Sequence, residues 1–452
     1  MGGFHYALRA LGHECVFAAE IDKELRELYA LNFPDSSRRI VGDIREHSAR
    51  VPPHDILCAG FPCQPFSKSG QQRGRRDRTR GTLFHEIIAI LERRLPKYVI
   101  LENVGNFERH NRGRTWRIVR QSLEQLGYCV RGTTHVTSGG HGLISPHHLG
   151  YPQSRERFFI VASLEHLPPD PFPKADRTRI TSLEEHIQPA SELSAKDRDE
   201  TAIPEHFLRV VRHWNRFIRS IPNQVPLPSF PLWGDEFGAR YPFRDQTPFA
   251  STLRQLRSVI PHADVSTRPT RDQLLSLLPA YAQSEERSFP DWKVAFIERN
   301  RSYYRRVRPH LPSGWLETLK SFAPSHRKLE WNCNGEIRDL WRCVLQFRPS
   351  GVRAKRYTNA PSLVAMTSTQ IPILGPERRF ITRREGLRLQ GFPDAHRLPK
   401  SHVGAFAALG NAVHTGVASA IAARLLTGRP HVAEQDAAAW QQTLDSLVGR
   451  PS

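Results

Sequence analysis

The first 162 residues switch between two hydrophobic periods. Short apolar runs at residues 15–19, 55–59, 98–101 and 157–162 are bounded by polar residues and read as buried strands. Between them, residues 22–32 place Leu25, Leu28 and Leu31 on one side at helical spacing, and residues 83–91 and 116–126 carry the same kind of amphipathic pattern. Strands alternating with helices of this length predict an α/β fold, with a parallel sheet covered on both faces. Ligands of such sheets bind just beyond the carboxyl ends of the strands. Glu20, Asp43, the Phe61-Pro62-Cys63 turn and Glu102 stand at those ends, so the pattern alone predicts a site there.

The texture changes at about Ser163. Prolines become frequent, as in Leu167-Pro168-Pro169-Asp170-Pro171, and the alternation is lost until about Pro376. Residues 163–376 read as a separate, less regular domain. Order returns at Thr382-Arg383-Arg384-Glu385, which has the form of a capping box and predicts a helix start. A further helix over 417–426 should stop at Gly428. The predicted organisation is therefore 1–162, then 163–376, a return segment 377–428 that completes the first domain, and a C-terminal tail 429–452. The tail is Ala- and Gln-rich and reads as one exposed helix or a loose end.

Composition narrows the class of function. With 452 residues, 39% of them hydrophobic, the chain is globular and long enough for two or three domains. Its 65 Lys and Arg against 45 Asp and Glu leave a net charge of +20, which suggests a polyanionic partner, nucleic acid first; an arginine-rich genome would produce the same excess. No apolar run approaches the ~20 residues of a membrane span, and the N-terminus lacks a signal layout. A cytoplasmic protein without a membrane partner is expected. The cysteines, Cys15, Cys58, Cys63, Cys129, Cys333 and Cys343, form no CxxC pair. Neither a disulfide framework nor a metal site is expected, and Cys333 and Cys343 read as core or surface residues.

A series of short motifs then carries a resemblance. Gly2-Gly3-Phe4, Glu20 with Ile21, Gly42-Asp43-Ile44, Pro62-Cys63-Gln64, Glu102-Asn103-Val104, Gln153-Ser154-Arg155-Glu156-Arg157, the stretch from Arg384 to Asp394, and Gly410-Asn411-Ala412-Val413 occur in this order and reach both ends of the chain. Together they resemble the bacterial DNA cytosine-C5 methyltransferases of restriction–modification systems. The resemblance implies a Rossmann-like sheet dependent on S-adenosyl-L-methionine, with a target-recognition domain over 163–376. It also implies a site-specific enzyme on double-stranded DNA, expected to be monomeric, with a cognate restriction endonuclease encoded nearby but not in contact.

The chemistry explains these residue types. C5 of cytosine is a poor nucleophile until a thiolate adds at C6, and Cys63 is the expected nucleophile. Addition drives negative charge towards N3 and O2. Glu102 is expected as the acid at N3 and Arg157 as the holder of O2, with Arg155 beside it supporting the pocket. Read without the resemblance, Cys63 would be a buried core thiol, Glu102 a helix-capping carboxylate, and the arginines exposed ion-pair partners. Gly2, Gly3, Phe4, Glu20, Ile21, Asp43, Ile44, Pro62, Leu83, Asn411 and Val413 are the implied cofactor contacts, with Glu20 at the ribose hydroxyls and Asp43 at the adenine amino group. The Gly- and Arg-rich segment after Cys63, including Gly70, Arg73, Arg75, Arg76 and Gly81, suits a closing loop over a flipped-out base. The middle region adds basic–aromatic stretches such as Tyr303-Tyr304-Arg305-Arg306, and Pro361-Ser362-Leu363 resembles a small landmark of such regions.

One departure stands out. The family's cofactor loop follows a first strand of the form Asp-Leu-Phe-x-Gly, whereas this chain starts at Met1 inside that loop. The reading therefore expects an upstream start codon or an impaired form. Two rival readings are an RNA cytosine-C5 methyltransferase with the same core and an inactive DNA-binding relative.

Overall fold

In a computed structural model of the chain, residues 1–62, 83–132, 142–261, 268–363 and 368–448 are described. Cys63, Gln64 and the Gly- and Arg-rich segment through Gly81 lie outside the described residues. The chain forms two compact units. The first comprises Met1–Thr201, Tyr357–Ile371 and Ile381–Ser452, and the second Ala202–Arg356 with Pro372–Phe380.

In the first unit the order is α1 (Gly3–Arg9), β1 (Ala18–Ala19), α2 (Lys23–Asn32), β2 (Ile40–Val41), α3 (Ile44–His47), β3 (Ile56–Gly60), α4 (Leu83–Arg94), β4 (Tyr98–Val104), α5 (Arg114–Gln125), β5 (Cys129–Arg131), β6 (Leu143–Ile144), β7 (Gln153–Ser154) and β8 (Arg157–Ser163). A five-stranded sheet runs β3-β4-β8-β5, with β6 also on β8. Leu57, Val99, Leu101, Phe158, Ile160 and Ala162 bury one face against Phe84, Ile87, Leu91, Val119 and Leu123 of α4 and α5. At about 25 cal/mol per Å² of apolar surface, such helix-on-sheet burial dominates the stability of the unit.

The sheet is mixed, not wholly parallel as the pattern predicted. β3 and β4 are parallel, but β8 runs antiparallel to both β4 and β5. Among the described residues between β5 and β8 the chain forms β6 and β7 and no crossover helix, which a parallel return needs. Phe158 to Ser163 are buried without interruption, so their apolar run reports burial on both faces and is silent on direction. β1 and β2 form a separate parallel ladder, Ala18 opposite Ile40 and Ala19 opposite Val41.

The unit boundary falls at Thr201, not at 162. The proline-rich stretch before it is irregular in backbone yet anchored to the first unit. Thr181 Oγ1 donates to Thr358 O at 2.7 Å, and the Gln188 amide donates to Glu385 Oε1 at 2.8 Å. Glu385 also closes the capping box with Thr382 that the sequence predicts. Residues 429–448 are likewise not a loose tail. They form helices Val432–Gln435 and Ala437–Val448, with Trp440 fully buried and its Nε1 donating to Thr415 Oγ1 at 3.1 Å. The stretch His402–Thr427 is long and apolar enough to cross a membrane, but 83% of its apolar window is buried inside the fold.

The second unit is more regular than its proline content suggests. A six-stranded sheet runs Arg379–Phe380, Ile373–Leu374, Cys343–Arg348, Gly351–Arg356, Lys328–Asn332 and Leu232–Trp233. Helix Glu205–Ser220 buries Phe207, Val210, Val211, Trp214, Phe217 and Ile218. Cys333 and Cys343 are core residues, with sulfurs 3.4 Å apart. Tyr303 is also core, 4% exposed, so the stretch from Tyr303 to Arg306 is not a continuous stacking surface.

A second apolar cluster in this unit, including Leu256, Leu274, Phe289 and Ile297, surrounds a buried polar hub. The Glu236 carboxylate, 0% exposed, accepts from the Tyr241 and Tyr281 hydroxyls and pairs with Arg301 Nε at 2.9 Å. The Arg301 guanidinium lies 4.4 Å from the centroids of both Tyr241 and Phe243. Removing one partner strands a buried cation, which costs about 3–5 kcal/mol. Glu236→Ala is expected to lower unfolding free energy by that amount in urea titrations, and a change below about 1 kcal/mol would show that the hub does not hold this cluster together.

Candidate active site

The β4–β8 ladder sets the geometry at the strand ends. Its register pairs Glu102 with Phe159 and Val104 with Arg157, while on the other side Gly60 of β3 lies opposite Glu102. Arg157 Nε meets Glu102 Oε1 at 3.0 Å, with the two side chains 20% and 15% exposed. Burial raises the Glu102 pKa above the usual carboxylate range, outweighing the opposite pull of Arg157 and Arg155. Burial also lowers the pKa of Arg157. Arg157 Nη1 donates to Glu156 O at 2.9 Å. Among the described residues, Glu102 Oε2 and Arg157 Nη2 carry no hydrogen bond. A Cβ at Gly60 would stand 3.6 Å from Glu102 Oε2, so the missing side chain leaves that oxygen open.

Phe61, the residue before Pro62, is held from below. Asn103, 2% exposed, donates from Nδ2 to Phe61 O at 2.8 Å. The Phe61 ring packs 5.3 Å from Phe84 and 5.6 Å from Phe107, and Phe107 lies 5.7 Å from Phe158. Three successive rings thus tie the residue before Pro62 to the strand that carries Arg157. Pro62 itself is exposed.

Arg155 faces elsewhere. Its guanidinium, buried with the side chain at 3% exposure, donates from Nη2 to Gly410 O at 2.7 Å and Ala412 O at 2.9 Å, and from Nη1 to Leu363 O at 3.0 Å. Burial, with Arg157 nearby, lowers its pKa to about 9. The group expected beside Arg157 is committed to three backbone carbonyls and clamps the Gly410–Val413 segment.

Of the implied cofactor residues, several are brought together. Gly2 caps α1 at φ 78°, where an added Cβ would strike the Phe33 ring. A Cβ on Gly3 would come within 2.5 Å of Val413 O, so the closing segment lies directly against the start of α1. Phe4 is half-buried on that helix, and Asn411 is exposed. Glu20 and Asp43 follow the parallel strands β1 and β2, and the Glu20 amide donates to Val41 O at 3.1 Å. The Glu20 carboxylate accepts from the Asp22 amide at 3.1 Å. Asp43 caps α3, and hydrogen bonds from Arg45 hold its carboxyl below the usual range. Ile21 and Leu83 are 66% and 38% exposed, whereas Ile44 packs on the core of the sheet.

The described residues thus form an α/β sheet with carboxylates at its strand ends and a half-buried acid–arginine pair there. Comparison with known proteins supplies the rest. The family model for C-5 cytosine-specific DNA methylases matches residues 1–225 and 283–427. The chain is 31% identical to the type II methyltransferase M.AluI of Cellulosimicrobium cellulans, over 92% of this chain and 88% of that protein. It is 28% identical to M.BanI of Aneurinibacillus aneurinilyticus, over 91% and 89%. With M.HhaI of Haemophilus parahaemolyticus the identity is 39% over 36% of this chain and 46% of that one. The chain belongs to the C-5 cytosine-specific DNA methylase family and is a DNA (cytosine-5-)-methyltransferase by class.

Two outcomes follow from this geometry. Arg155→Met removes the donor to the Gly410 and Ala412 carbonyls, while Leu363 O keeps the Ser362 hydroxyl at 3.3 Å, at a cost of about 1–3 kcal/mol for each carbonyl that stays unpaired. The variant is expected to lose several kcal/mol in urea unfolding; wild-type stability would mean that the clamp carries no load. Burial also lowers the imidazole pKa values of His5 and His186 to about 4 and of His396 and His414 to about 3. Between pH 6.5 and about 4 the unfolded chain protonates these groups while the folded chain does not. Unfolding then takes up protons, so stability falls as pH drops, by about 1.4 kcal/mol per pH unit for each imidazole. An unfolding midpoint that stays flat from pH 7 to about 4.5 would contradict the burial of these rings.

Proposed function

We propose that this chain transfers a methyl group from S-adenosyl-L-methionine to C5 of a cytosine flipped out of double-stranded DNA, at a defined sequence, as the modification half of a type II restriction–modification pair. The observation that carries the reading is the Glu102–Arg157 pair, in which one carboxylate oxygen and one guanidinium nitrogen carry no hydrogen bond among the described residues. A pyrimidine presents N3 and O2 side by side, an edge that a protonated carboxyl and a guanidinium match together.

In this mechanism the Cys63 thiolate adds to C6, and the C5–C6 π electrons pass into the ring. Glu102, whose burial favours the protonated form, gives a proton to N3 and leaves C5 as the nucleophilic carbon of an enamine. Arg157 donates to O2 and fixes the ring plane. After methylation, a solvent water takes the C5 proton, the freed electron pair restores the C5–C6 double bond and expels the Cys63 thiolate, and N3 returns its proton to Glu102. S-adenosyl-L-methionine, when bound, supplies the electrophilic methyl group. The residues present suit it: the exposed Ile21 beside the Glu20 carboxylate offers an apolar face and an acceptor for ribose hydroxyls, and Leu83 is a second uncovered apolar side chain. Asp43 would accept from the adenine amino group after yielding part of its contact with Arg45. Gly2 and Gly3 admit close backbone approach, with Phe4, Pro62, Asn411 and Val413 completing the wall. Arg155 acts as a positioning residue.

Sequence recognition is assigned to the second unit. The family match skips residues 226–282, and those residues supply Glu236, Leu256 and Leu274 of its own apolar cluster and polar hub. A segment outside the family match, packed on Phe289, Ile297 and Arg301 of the matched part, is a suitable carrier of specificity. Incubation with 5-fluorocytosine duplex and cofactor should give a denaturation-resistant complex, because fluorine cannot leave as a proton. Cys63→Ser should abolish it. Glu102→Gln should slow single-turnover methylation by about 10²–10⁴ with little change in DNA affinity. Trapping by the Cys63→Ser protein, or transfer to RNA alone, would overturn the reading.

A further inference from the structure

The second unit carries a basic concavity that the reaction does not use. On helix Glu205–Ser220 the exposed face presents Arg209, Arg212, Arg216 and Arg219. Steps of three and four residues put them in one stripe, opposite the buried Val210, Trp214 and Phe217. Arg212, Arg216 and Arg219 line a concavity of about 380 Å³ together with Asn215, Ser220 and Trp341.

A charged stripe is ordinarily just the solvated side of a helix, and three observations set this one apart. The first is its charge balance. Arg212 pairs with Glu205 at 2.7 Å, but both are more than half exposed, so the pair contributes little. Arg219 Nη1 lies 3.9 Å from Asp339 Oδ2, a long contact with the Arg219 side chain 65% exposed, so this pair too contributes little. Arg216 has no carboxylate partner among the described residues. The second is the aromatic wall. Trp341 is half-buried, and the Arg378 guanidinium stands 4.8 Å from its ring centroid. The third is strain. Arg378 adopts φ 50° in the turn between Ile373–Leu374 and Arg379–Phe380, a conformation that costs a non-glycine residue about 1–2 kcal/mol. The same turn presses on the backbone bearing Trp341: a Cβ at Gly375 would sit 2.5 Å from Cys343 O and 2.9 Å from the Trp341 carbonyl carbon.

We infer that this concavity is a phosphate site for the backbone of duplex DNA, with Arg216 and Arg219 donating to phosphodiester oxygens and Trp341 packing against the adjoining sugar. Guanidinium forks match phosphate oxygens in a way that a diffuse positive surface does not. Such contacts add affinity on any sequence and read none. The inference rests on duplex DNA being the substrate, and it goes beyond that reading by naming where the second unit grips the backbone.

The test is fluorescence anisotropy of the full chain on two labelled duplexes of unrelated sequence, from about 50 to 200 mM KCl. Removing one arginine–phosphate pairing should reduce the slope of log affinity against log salt by about 0.9. Arg216→Ala with Arg219→Ala is expected to reduce it by about 2 on both duplexes, and the double lysine variant to restore most of it. Arg209→Ala lies on the same stripe outside the concavity and should change the slope less than Arg216→Ala. An unchanged slope in the double alanine variant with an intact thermal melt would overturn the site, as would equal effects of Arg209→Ala and Arg216→Ala. A weakening confined to one duplex would mean base reading and overturn it too. If the wild-type chain fails to retain any duplex, the substrate reading falls; if it binds but the variants keep its slope, only this site falls.

Discussion

Everything at the candidate site depends on one ladder, the antiparallel pairing of β4 with β8. Its register brings Glu102 and Arg157 from strands far apart in sequence to within 3.0 Å. Side chains alternate along a strand, so a slip of one residue would turn Arg157 to the opposite face and leave a buried carboxyl without its cation. Fully buried residues on both sides, including Leu101, Phe158 and Ile160, make such a slip expensive. The core therefore acts as the ruler for the chemistry.

The same ruler extends outward. Asn103, next to Glu102, holds the Phe61 carbonyl, and the ring series from Phe61 to Phe158 stiffens the approach to Pro62. Arg155, two residues before Arg157, points to the carbonyls of Gly410 and Ala412. That clamp brings the distant end of the chain back to α1, where Gly3 and Val413 meet without room for a Cβ. One short segment thus serves both halves of the proposed reaction. In the proposed reaction Arg157 holds the base, while Arg155 secures the Gly410–Val413 segment through its carbonyls.

Much of this was legible in the sequence because it is local. The strand ends carrying Glu20 and Glu102 followed from apolar runs, and the Thr382 cap and the Gly428 stop followed from residue types with few conformational alternatives. Non-local features were not. The direction of β8 depends on how the chain returns to the sheet, which an apolar run cannot report. The commitment of Arg155 depends on carbonyls more than 200 residues away. The boundary at Thr201 was hidden because prolines mark irregular backbone and not the limit of a packed unit. The helix Glu205–Ser220 was readable from its apolar positions, and the emphasis on proline content obscured it. Trp440 could have warned that the C-terminal residues were packed, since a lone tryptophan in an Ala-rich helix needs a place to bury.

The proposed chemistry, a Cys63 nucleophile with Glu102 and Arg157 around the base, calls for methylation at C5 of cytosine. The most direct measurement is mass spectrometry and bisulfite sequencing of duplex DNA incubated with the chain and S-adenosyl-L-methionine. The predicted result is 5-methylcytosine in a single recurring sequence context. Methylation at an exocyclic nitrogen, or none on DNA from a folded, cofactor-binding protein, would contradict it.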